Sequence, residues 1–124
     1  YGDQGQLDEL KLHLSSFAEK AHQRHQIGLY VEVLLLQSKV AMVELDVKEA
    51  YRFLDLARNL ADEKGLERTL NRIADERDAL IRALTVWEQL GEDRPPMTER
   101  TEKVRIHEQI EKMIREGSWR RMLF

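Results

Sequence analysis

Apolar and polar positions along this chain repeat at helical spacing, and no stretch alternates as a strand would. Leu7, Leu10, Leu14, Phe17, Ala18 and Ala21 fall on one stripe and predict a helix over about 7–22. After His25, Gln26, Ile27 and Gly28 break the pattern, a second helix is expected over about 29–45. It carries Val31, Val33, Leu34, Leu35, Leu36, Val40, Met42 and Val43. So little polar face remains there that this helix should be the most buried. Asp46 is placed to cap a third helix, with Glu49 three positions on as in a capping box. That helix continues through Ala50, Phe53, Leu54, Ala57 and Leu60 to Lys64, and Gly65 stands where a left-handed C-terminal residue is wanted. A long fourth helix is expected over about 66–90, with Leu66, Leu70, Ile73, Leu80, Leu84 and Trp87 as its seam and Arg77 interrupting it. At that length it should project past its predecessors.

Paired prolines cannot continue a helix, so residues 91–97 read as the one clear linker. Thr98 then caps a last helix carrying Val104, Ile106, Ile110, Met113 and Ile114 up to Gly117. The fold class is all-α: antiparallel helical hairpins over 1–90, the linker 91–97, and a C-terminal helix with an apolar tail over 98–124. The tail and last helix would be a cap or a dimerisation arm.

Two segments also echo one another. Leu14, Phe17, Ala18 and Ala21 recur 39 positions later as Phe53, Leu56, Ala57 and Leu60, and Gly28-Leu29 recurs as Gly65-Leu66. A period near forty residues signals stacked helical hairpins, units that cannot bury their apolar faces alone.

Residues 29–65 carry Leu45-Asp46-Val47-Lys48-Glu49-Ala50 followed by Leu54 and Ala57. This stretch resembles a tetratricopeptide (TPR) repeat of the long-loop, MalT-like variety. The resemblance extends to microbial, especially archaeal, regulatory TPR proteins through Ala61-Asp62-Glu63-Lys64-Gly65-Leu66, Glu76-Arg77-Asp78-Ala79-Leu80, Trp87 and Glu99-Arg100. It implies an α-solenoid in which Ala50, Leu54, Ala57 and Gly65 serve repeat packing. The pattern departs from the family at Ser38 (the usual helix-A glycine), at Leu45 (the turn glycine) and in lacking the terminal proline. On this reading the chain begins mid-array and ends a longer solenoid. The job implied is non-enzymatic: a protein–protein interaction scaffold in signalling or transcription regulation, the C-terminal module of a larger protein. The alternative is a homo-oligomerisation module built by the C-terminal helices.

Composition narrows the chemistry. The chain has 124 residues, about one domain, with 35% charged residues, 6% aromatic residues and no cysteine. Without cysteine there is no disulfide framework and no thiol nucleophile, which fits a reducing, cytoplasmic setting. No apolar run spans a bilayer. Net charge is −3, made of −6 over residues 1–93 and +3 over residues 94–124. A tail this mildly basic reads as a solvated face, and direct nucleic-acid binding is not expected despite Arg115, Arg120 and Arg121.

His13, His22, His25 and Glu19 could in principle hold zinc, but the spacing lacks a second pair, and an exposed polar turn is the expected reading. Asp75, Glu76 and Asp78 form an acidic cluster interleaved with Arg68, Arg72, Arg77 and Arg82; surface ion pairs within the helix are expected, not acid–base catalysis. No catalytic, cofactor or metal site is expected. The partner is a protein, a peptide or a second copy of the chain. Trp119, Arg120, Arg121, Met122, Leu123 and Phe124 are the contact residues expected from sequence, either folded back on the core or anchored on another subunit.

Overall fold

The structure, a computed structural model, describes residues 4–117. The described residues form six α-helices and no strand, so the all-α class holds. They are α1 (Gln4–Gln23), α2 (Ile27–Val43), α3 (Val47–Glu63), α4 (Glu67–Leu90), α5 (Met97–Lys103) and α6 (Ile106–Arg115), with one 3₁₀ turn at Gly91–Asp93.

The first three turns are copies of one another. Each helix ends in a left-handed residue, His25, Leu45 and then Gly65, with φ of 56°, 63° and 67°. In each turn that residue's N–H donates three residues back, and the next N–H donates to an alanine carbonyl five back: Ala21, Ala41 and Ala61. This is the doubly bonded C-terminal cap that ends helices abruptly. The unit is therefore one helix plus one turn of twenty residues, and the hairpin period is forty.

That corrects the sequence echo by one position. Leu14 corresponds to Leu54, Phe17 to Ala57 and Ala21 to Ala61, all buried, whereas Leu56 is 41% exposed. A shift of one residue turns a helix by about 100°, enough to move a side chain off the packed face. Gly28 is likewise no counterpart of Gly65, since it lies within the first turn of α2. His25 takes the left-handed role instead.

Helix α2 is the hub. Eleven of its residues, from Val31 to Val43, are buried, and α1, α3, α4, α5 and α6 all pack on it. Asp46 caps α3 as expected, its carboxylate accepting from the Glu49 N–H at 3.3 Å. Glu49 does not reach back; its carboxylate takes both Arg52 donors. Ala50, Leu54 and Ala57 lie on the buried face of α3.

Two expectations for the C-terminal part are overturned. Thr98 caps nothing, because Pro96 precedes the first turn of α5. The last helix is also two helices, broken at Arg105, whose φ is 61°. The reason is packing. Val104 and Ile106 are both buried, yet residues two apart on a continuous helix face nearly opposite sides. The break turns both inward. In α4, Leu80, Ala83, Leu84 and Trp87 of the C-terminal half are buried.

Candidate functional site

Three polar linkages hold α4, α5 and α6 against α2. At the end of α2, Arg100 of α5 donates through Nε to the carbonyl of Val43 at 2.9 Å and through Nη1 to that of Pro95 at 2.7 Å. Its guanidinium lies 6.0 Å from the Trp87 ring. A cation at a helix C-terminus complements the macrodipole, and Val43 supplies one of the orphan carbonyls. Burial, with Arg94 nearby, holds this guanidinium below its ordinary value.

In the first half of α2, Glu32 is the common acceptor for Arg72 of α4 and Gln109 of α6. Between them, Lys39 pairs with Glu76 at 3.4 Å. Lys39 is 4% exposed, and burial lowers its pKa although Glu76 pulls it upward. The charges of α4 thus reach across to other helices, Arg77 to Asp55 included. For Arg72, Glu76 and Arg77 the ion-pair partners lie on other helices, where the sequence suggested pairs within α4.

Because α5 is tethered to the end of α2 and not laid along α4, a groove of about 870 Å³ opens between α4 and α5. Asp75, Ala79, Arg82, Ala83 and Val86 form its α4 wall; Glu99 and Lys103 face them from α5, and Lys39 lies at its floor. Val86 is 51% exposed. A smaller cleft of about 250 Å³ lies between α1 and α3, lined by Leu14, Val40 and Phe53, with Lys11 and Glu44 paired at 3.0 Å beside it. The larger groove combines small apolar side chains with charged rims.

The residues singled out in sequence fare unevenly. Gly65 occupies its turn, and Ala50, Leu54 and Ala57 are buried in the core. Trp119, Arg120, Arg121, Met122, Leu123 and Phe124 lie outside the described residues. The histidines do not converge: His13 stacks on Phe17, His22 meets Tyr30 edge-on, and His25 closes a turn. Among the described residues no cluster of metal-ligating groups forms, and no helix is long and apolar enough to cross a membrane. Sequence reasoning missed Arg100 as a cap and Glu32–Gln109 as a junction, both pairings between distant positions. Lys39 did leave a signal, a lone lysine in the most apolar helix.

No protein-family model, no curated protein and no solved structure matches this chain.

Proposed function

We propose that the chain is a TPR-like, non-enzymatic interaction module of a larger regulatory or signalling protein, and that the α4–α5 groove is where it receives a helical segment of protein. The observation that carries this reading is the open groove itself. Its α4 wall presents small and branched apolar side chains, Ala79, Ala83 and Val86, between charged rims. Interfaces of this kind lay the apolar face of a helix into a groove, with rim charges setting orientation. Repeated helix–turn units of twenty residues support the TPR-like assignment, since such stacks characteristically bind through extended surfaces. The packing of α5 and α6 on α2 supports the α4–α5 groove over the face of α2 as the docking position.

Display of helical peptide libraries against the purified chain tests this. Binders are expected that perturb amide resonances of α4 and α5 and lose affinity in Val86→Glu, but not in Leu12→Glu on α1. Binders that map elsewhere, or none at all, would sink the reading.

A further inference from the structure

The two C-terminal helices are held differently from the rest. The buried residues of α3 are all apolar: Ala50, Leu54, Ala57 and Ala61. Those of α5, α6 and the junction between them are mixed, with Val104, Ile106 and Met113 beside Arg100, Thr101 and Gln109. Arg100 is 8% exposed, yet its hydrogen bonds go to carbonyls, and no carboxylate pairs with it among the described residues. Gln109 donates to Glu32, but its own Oε1 is buried without a partner. A buried charge without a counter-ion and a buried acceptor without a donor both cost stability. Arg105, between the helices, adds left-handed strain at φ 61°.

The same two helices are also separable. With seven and ten residues, neither is long enough to persist alone in water, so both keep their shape only against α2. Their connection to α4 runs through Gly91, at φ 56°, and through Pro95 and Pro96, which donate no backbone hydrogen bonds. Turning the chain at those prolines leaves the hydrogen bonds of α4 intact. We propose that α5 and α6 form a hinged latch, which leaves and rejoins α2 as one unit and in closing supplies the second wall of the groove.

Glu99, Lys103 and Val104 are that wall. A peptide held between both walls meets them together only when the latch is closed, so docking and closure favour each other. Anything that draws the latch off α2 turns docking off. This deepens the reading of the groove as a docking surface, and the link between latch and docking rests on that reading; the latch itself does not.

Amide hydrogen exchange on the full chain tests the latch without any ligand. The slowest amides of α5 and α6 should share one opening, roughly tenfold or more frequent than that of α2 and α3. Gly65→Ala, in a turn that stays folded when the latch opens, should speed exchange in α2 and α3 severalfold and leave α5 and α6 unchanged. A helical peptide selected for the groove, added at about a hundred times its Kd, should slow exchange in α5 and α6 about a hundredfold. Amides of α5 and α6 that exchange as slowly as those of α2, or that follow them in Gly65→Ala, overturn the latch. A peptide that maps to the groove without slowing α5 and α6 overturns the link to docking. If the opening is seen but no selected peptide maps to the groove, the latch stands and only the docking reading fails.

Discussion

At Lys39 an ammonium group is 4% exposed and stands 3.4 Å from the carboxylate of Glu76, which keeps a quarter of its surface in water. The two partners are thus unequal. Removing Glu76 strands a buried charge, whereas removing Lys39 leaves a carboxylate that can solvate. Glu76→Gln should cost about 2 kcal/mol, less than the loss from a fully buried pair, while Lys39→Met should stay within about 1 kcal/mol of wild type. Urea unfolding measures both. The pH dependence has a definite sign. Burial lowers the folded pKa of Lys39 below its ordinary 10.5, so the unfolded chain holds this proton more tightly than the native one. Wild type should gain stability relative to Lys39→Met as pH rises toward 10.5, the reverse of a lysine favoured by its ion pair. Lys11, which Glu44 pushes upward, is common to both proteins and drops out of the difference.

The turns carry the argument at the scale of elements. His25, Leu45 and Gly65 adopt the same left-handed conformation, but only glycine does so without a steric penalty. His25 is exposed, so His25→Gly should raise stability by about 1 kcal/mol. Gly65→Ala should lower it by a similar amount; nothing lies within 4 Å of the added methyl, so the loss is backbone strain alone. Paired thermal melts of the two variants should move in opposite directions. Leu45 is different, because its side chain packs against the core and offsets the strain. Most of the element pattern was legible in the chain: the apolar stripes marked α1 to α4, Asp46 marked the start of α3, and Gly65 its end. The break at Arg105 was not, because it answers a demand of packing on Val104 and Ile106 that appears only once α2 is their neighbour.

For the whole molecule, the C-terminal helices decide what surface remains. They fold back on α2 through Arg100, the Glu32 junction and the apolar contacts of Val104, Ile106 and Met113. Arg100→Met keeps the stem but removes two hydrogen bonds from a charged donor, a loss of about 2 kcal/mol. Hydrogen exchange should then accelerate first at the amides of α5 and α6, with α2 and α3 still protected. Uniform acceleration through every helix would show instead that these helices are one cooperative unit with α2.

What the sequence determined by itself is local. Helical periodicity, the cap at Asp46 and the left-handed glycine are each written within a few neighbouring residues, so propensity and spacing suffice to read them. The repeat was legible too, but its register was not, since a shift between thirty-nine and forty residues is settled only by which side chains face α2. Tertiary structure alone decided that Arg100 closes the end of α2, that Glu32 meets Gln109, and that α5 stands away from α4 to leave a groove. Those contacts join positions far apart in the chain. Their energy depends on burial and on partners that exist only after the helices have packed.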